Sequence, residues 1–202
     1  MKKHDDGQPN GRLEPVPYQQ IRAVYNDDTI RVYQAYSHLI ADAALKHGRF
    51  VSPPFSRTRM TWIKPSFLWM MYRAGWGHKD AGQNRILAID ITREGFEWAL
   101  AHSCPSHPPE GLDDAGWQAM KAAAPVRVQW DPERDLHFNP LGWRSVQIGL
   151  GPVASALYAD QWTRRIEDIT PLAHEVGALV GQRRLEKASA LLPAERPYPM
   201  PA

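Results

Sequence analysis

Cysteine is almost absent. The 202-residue chain holds one, Cys104, which excludes an internal disulfide framework and fits a reducing compartment. No run of about 18 apolar residues occurs, so the sequence predicts no membrane-spanning helix. Its first ten residues, Met-Lys-Lys-His-Asp-Asp-Gly-Gln-Pro-Asn, lack the apolar stretch of a secretory leader, and the expected location is cytoplasmic. A glycine-rich nucleotide fingerprint, a Walker loop and a nucleophile elbow are also missing. The most informative absence is local: from Ala43 to Lys79 there is no Asp or Glu.

That acid-free stretch holds Lys46, Arg49, Arg57, Arg59, Lys64, Arg73 and Lys79, interleaved with Trp62, Trp69, Tyr72 and Trp76. With a net charge of +2 overall and seven cations here, the rest of the chain sums to −5. Concentrated like charge repels itself unless an anion lies among it, and the interleaved rings suit a partner with a flat face. The sequence pI of about 8.7 is too mild to imply nucleic acid by itself. At 43% hydrophobic and 23% charged residues, the composition is that of one ordinary globular domain.

Local patterns predict an α+β fold, a single domain whose mixed or antiparallel sheet has flanking helices. Residues 1–17 read as a flexible N-terminal segment, 18–192 as the globular domain, and 193–202 as a Pro-rich C-terminal tail of extended polyproline type. Thr29–Tyr36 alternates as a strand, with Ile30, Val32, Gln34 and Tyr36 on one face and Arg31 and Tyr33 on the other. Ser37 and Gly48 bracket a helix over 38–47, and Pro65 opens a buried one running to Ala74 before Gly75. Further strands are expected over 85–91, 126–130 and 143–149, and further helices over 93–101, 117–124, 153–166, 172–180 and 182–191. Asp131–Asp135 reads as a turn and 104–116 as a Pro-rich loop.

The segments Ile30-Arg-Val-Tyr-Gln-Ala-Tyr-Ser37, Pro54-Phe-Ser-Arg-Thr-Arg-Met-Thr-Trp-Ile-Lys-Pro-Ser-Phe-Leu-Trp-Met-Met-Tyr-Arg-Ala-Gly-Trp76, Val128-Gln-Trp-Asp-Pro-Glu-Arg-Asp135 and Arg144-Ser-Val-Gln-Ile-Gly149 closely resemble an uncharacterised family catalogued as domain of unknown function 4291. The likeness covers roughly residues 18 to 199. More distantly, Tyr33-Gln-Ala-Tyr-Ser37 followed by the 38–47 helix is similar to the opening of the ADP-ribosyltransferase superfamily, which implies an NAD-binding fold. The chain departs from that pattern by having no His-Gly-Thr at the strand end and no late Glu-x-Glu; Gln129, Asp131, Glu133 and Gln147 are its nearest substitutes.

Ser56, Arg57, Thr58, Arg59, Thr61 and Lys64 form the first candidate site, since guanidinium forks, an ammonium and hydroxyls at a helix entrance are phosphate-binding equipment. The alternative is that the arginines pair with acids elsewhere in the net-acidic remainder. Trp62, Trp69 and Trp76 recur every seven residues and read as core, leaving Tyr72 as the ring able to stack on a ligand. Gln34, on the core face, is either structural or a ligand contact. His102-Ser-Cys-Pro-Ser-His107 lacks the ligand count of a zinc site.

The leading expectation is an NAD-binding, ADP-ribosyltransferase-like enzyme. Arg57, Arg59, Lys64 and Ser56 would hold the diphosphate, Tyr72 or Tyr36 would stack, Arg31 would make the strand-end contact, and Glu133 or Gln147 would stabilise charge at the ribose. The alternative is a non-catalytic module binding RNA or single-stranded DNA with the same cations and rings. A third reading, an interaction protein, would use the Pro-rich tail as its contact.

Overall fold

Side-chain alternation along one strand divides this protein into two cores. The computed structural model describes residues 16–200; the expected flexible segment falls on residues that, up to 15, lie outside the described ones. In chain order the elements are β1 (Arg22–Ala23), β2 (Thr29–Tyr36), α1 (His38–His47), β3 (Thr61–Ile63), α2 (Phe67–Ala74), β4 (Arg85–Thr92), α3 (Arg93–Ala101), β5 (Ser103–Pro105) and α4 (Asp114–Ala123). They continue with β6 (Val126–Arg134), β7 (Pro140–Leu150), α5 (Pro152–Leu157), β8 (Thr163–Asp168), α6 (Thr170–Gly181), α7 (Leu185–Ala190) and β9 (Arg196–Pro197). The architecture is α+β.

One sheet is antiparallel in the order β2-β4-β8, the second has the order β3-β7-β6-β5 with only β5-β6 parallel, and β1 pairs with β9. Ile30 and Val32 of β2, with Leu87, Ile89 and Ile91 of β4, face the larger core, which Val146, Ile148 and Leu150 of β7 complete. On the opposite face Tyr33, Ile86 and Ala88 meet Phe67, Met70, Met71 and Ala74 of α2 and Ala173 of α6. The strand is therefore covered on both sides, and the face that carries Arg31 and Tyr33 is a second core at its Tyr33 end.

The two sheets meet where Tyr33 N–H donates to the Lys64 carbonyl at 2.7 Å and the Gln34 amide donates to the Trp62 carbonyl at 3.1 Å. Immediately afterwards Ser66 caps α2, its hydroxyl accepting from Trp69 N–H at 3.2 Å, and Gly75 closes that helix in the left-handed region at φ 55°. Gly48 ends α1 in the same way. Among the described residues, no helix is long and apolar enough to cross a membrane.

Three local expectations need correction. The helix expected over 153–166 breaks: α5 widens into a π turn at Tyr158–Trp162, and Thr163–Asp168 becomes the edge strand β8. Thr163 donates its hydroxyl to the Tyr158 carbonyl, and Glu167 and Asp168 pair with Arg31 and Arg85, so cross-strand charge outweighs helical propensity. The turn expected at Asp131–Asp135 is instead strand as far as Arg134, with a register shift around Pro132. The chain reverses at Asp135–Asn139, where the Asp135 carboxylate accepts from the N–H groups of His137 and Asn139. Within the expected 104–116 loop, β5 runs parallel to β6 and buries Cys104.

The Pro-rich tail is extended and docked. Tyr198 is 5% exposed, its N–H donates to the Ile21 carbonyl, and its hydroxyl accepts from Arg93 at 2.8 Å.

Candidate functional site

Where β2 ends, β3 begins and α2 departs, the sheets leave a cavity of about 750 Å³. Its walls come from the end of β2 (Gln34 to Tyr36) with Ser37 after it, the 54–62 segment, the first and last turns of α2, the Asp80–Gln83 turn, and Gln129 and Gln147 from paired positions of β6 and β7. Three cations line it, Arg59, Lys64 and Arg73, against one carboxylate, Asp80. Asp80 is already engaged by Gly82 N–H at 2.8 Å and the Gln83 amide at 2.6 Å. Among the described residues, none of the three cations makes an ion pair.

Lys64 is the unusual group. Only 6% exposed, it lies one residue past β3, where its backbone is held by Tyr33 and buried Ile63 and Pro65 flank it. Its Nζ donates to the Trp62 carbonyl at 3.3 Å and lies 5.5 Å from the centre of the Trp69 ring. Burial, helped by the nearby Arg73 charge and opposed by Asp131, lowers its pKa to about 7. Beside it, Asp131 is pinned by two amides: Gln129 donates to one oxygen at 2.9 Å and Gln147 to the other at 2.7 Å. The Tyr36 hydroxyl is buried, which raises its pKa, and the neighbouring Gln34 side chain opposes the rise. Gln34 is satisfied by the Trp62 carbonyl and by the Tyr158 hydroxyl, which donates to it at 2.6 Å.

Of the residues singled out from sequence, Gln34, Tyr36, Ser56, Arg59, Thr61, Lys64, Gln129 and Gln147 share this cavity. Arg31, Arg57, Tyr72 and Glu133 do not line it. Arg31 donates to both Asp90 oxygens at 2.8 and 3.0 Å and reaches Glu167 at 3.4 Å; the Asp90 bond raises its pKa. Arg57 makes a two-pronged pair with Asp160 at 2.7 and 2.6 Å, so one of the two loop arginines has the acidic partner that the alternative reading required. The Tyr72 ring is occupied by the Arg134 guanidinium, 3.9 Å from its centre, and by the edges of Trp69 and Phe138. Glu133 is 8% exposed, accepts from the Ser66 hydroxyl and Arg134 N–H at 2.9 Å each, and burial raises its pKa.

Arg73, Asp80 and Gln83 reach the cavity without having been singled out as binding residues. Arg73 carried a signal, since it lies in the acid-free stretch one helical turn beyond Met70, which also lines the cavity. Trp69 is 6% exposed, and Trp76 is half-buried and stacked on Phe138 at 4.9 Å, as rings serving the core do. The His102–His107 segment brings no metal set together: His102 stacks on Trp98, and no group of three or more His, Cys, Asp or Glu positioned for a metal occurs among the described residues.

The family described as Domain of unknown function (DUF4291) matches residues 20–198, so the chain belongs to that family. None of the curated proteins matches it.

Proposed function

We propose that this member of the family binds a phosphate-bearing small molecule in the 750 Å³ cavity, NAD being the leading ligand, and acts on it as an ADP-ribosyltransferase-like enzyme. The observation that carries the reading is the convergence of Arg59, Lys64 and Arg73 on one recess without a carboxylate bonded to any of them. Guanidinium forks bind phosphate oxygens in pairs of hydrogen bonds, and a cavity in the range of about 300–1,000 Å³ suits a ligand of this size. Arg59 and Arg73 would hold the diphosphate, with Ser56 as a further hydroxyl donor and Tyr36 beside the sugar.

Cleaving a nicotinamide–ribose bond develops positive charge on the ribose, and negative charge fixed close by favours it. Asp131, held by Gln129 and Gln147, would supply that charge from behind the cavity wall that the two amides line. Glu133 is not needed for the task, because its carboxyl is taken up by Ser66 and the Arg134 N–H. Two of the rings are withdrawn from a single-stranded nucleic-acid platform, since Trp69 is buried and Trp76 stacks on Phe138, which leaves Trp62 at the cavity wall and the exposed Tyr72, with Arg134 over one face.

Thermal melting with millimolar NAD, ADP-ribose or a short RNA tests the reading. The nucleotides should raise the midpoint by mass action and the RNA should not. Arg59→Ala combined with Arg73→Ala should weaken NAD binding about 100-fold, the loss of two charge-assisted contacts. Unchanged affinity in that double variant refutes the site. Asp131→Asn should then slow nicotinamide release while leaving NAD affinity within about threefold.

A further inference from the structure

The lysine in this cavity is badly placed to serve only as a charge for phosphate. It is the most buried of the three cations, and among the described residues no carboxylate is bonded to it. A desolvated lysine next to another cationic group is the standard environment of a nucleophilic amine. Arg73 is that second cation here, and Asp131 lies close enough to oppose its effect.

We infer that Lys64 is a covalent nucleophile whose Nζ condenses with the aldehyde carbon of a phosphate-bearing ligand, an aldose phosphate in its open-chain form. The inference rests on the phosphate-binding part of the function proposed above and not on nicotinamide cleavage. ADP-ribose, the fragment that such cleavage leaves, belongs to the same chemical class, because its terminal ribose opens to an aldehyde.

In the step, the nitrogen lone pair adds to the carbonyl carbon while the carbonyl oxygen takes up a proton, giving a carbinolamine. Loss of a proton from nitrogen and of the hydroxyl as water then leaves an imine, so amine plus aldehyde become imine plus one water. The proton taken up by the oxygen and the one released from nitrogen exchange with water entering the cavity. Arg59 and Arg73 would hold the phosphate end and so select phosphorylated over plain sugars. With its pKa lowered to about 7, the Lys64 amine is substantially neutral at neutral pH, whereas an ordinary surface lysine is almost wholly protonated.

The test is reductive trapping of the full-length protein at pH 7 with cyanoborohydride and ribose 5-phosphate, followed by peptide mass mapping. Lys64 should be labelled about tenfold more than Lys46, Lys79, Lys121 or Lys187. Replacing ribose 5-phosphate by ribose, or adding excess inorganic phosphate, should cut the Lys64 label by about tenfold. Arg59→Ala with Arg73→Ala should do the same in a protein that still melts cooperatively. Lys64 left unlabelled, or labelled equally by ribose, overturns the inference. A midpoint raised by NAD without Lys64 labelling would leave the proposed function standing and sink only the covalent step. Labelling without any response to NAD would do the reverse.

Discussion

On one side of the segment Lys64–Phe67, a buried amine faces a cavity with only the Trp62 carbonyl bonded to its nitrogen. On the other side, Glu133 and the tail residue Glu195 place two carboxyls against the start of α2. Among the described residues neither region has a salt bridge, and the two do not neutralise one another. The carboxyls are nevertheless served: Phe67 N–H donates to Glu195 at 2.6 Å, and Ser66 and Arg134 N–H donate to Glu133. The helix N-terminus adds favourable dipole there. The amine has no comparable set of acceptors. A buried ionisable group with its partners in place is structure, whereas one that opens onto space without them is a site awaiting an anion or an electrophile.

The largest expected effect breaks the carboxyl side. A chain ending at Ala194 loses Glu195, the β1–β9 pairing and buried Tyr198, and should be destabilised by on the order of 4 kcal/mol in urea unfolding. A loss under about 1 kcal/mol would mean that the tail merely lies on the surface.

Next, Lys64→Met removes the cost of burying an amine and should stabilise the protein by about 2–3 kcal/mol at pH 7. The sign follows from proton counting. The folded pKa is near 7 and the ordinary value 10.5, so between them the unfolded chain binds the extra proton and wild-type stability rises with pH. The advantage of the variant should therefore be widest at or below pH 7 and shrink toward pH 10. Urea midpoints that differ by the same amount at pH 6.5 and 9.5 would contradict the buried-amine description.

Glu195→Gln gives the opposite slope and the smallest effect. Burial first, and the charge of Glu133 second, push Glu195 up to about 8, against the opposing Phe67 N–H bond and Arg22. Between the ordinary 4.5 and 8 the folded chain keeps a proton that the unfolded chain has lost, so wild-type stability falls as pH rises through that window. The amide variant, which keeps an acceptor for Phe67 N–H, should gain about 1 kcal/mol on the wild type between pH 5 and 9. Parallel pH profiles for the two proteins would show that the carboxyl does not titrate in this range.

Much of this comparison was readable from local pattern. The alternation of Thr29–Tyr36, the bracketing of α1 by Ser37 and Gly48, and the stop at Gly75 are each written within a few adjacent residues. The acid-free stretch likewise contains Ser56, Arg59, Lys64 and Arg73 of the cavity wall. What local pattern cannot carry is who neutralises whom. Arg57 and Arg31 look as free as Arg59 in the sequence, but their acids lie 103 and 59 residues away along the chain. β8 was hidden because an edge strand with one charged face has no apolar alternation to show. Glu195 was hidden in a proline-rich composition whose extended backbone is what lets it reach α2. Glu133 was drawn toward the ribose as a substitute for the missing Glu-x-Glu, and the strand that replaces the expected turn delivers it to Ser66 instead.

Gly149 offers a last consequence. It sits directly across from Trp62 in the β3–β7 ladder, and a methyl group there would fall 2.9 Å from the Trp62 ring and from the Met60 sulfur. The thioether can swing aside, but an indole wedged on a strand has little room to do so. The shape of the recess is thus written partly on the reverse of its own wall, at a residue with no side chain. Gly149→Ala should therefore lower the melting midpoint, and a smaller residue at 62 should restore it.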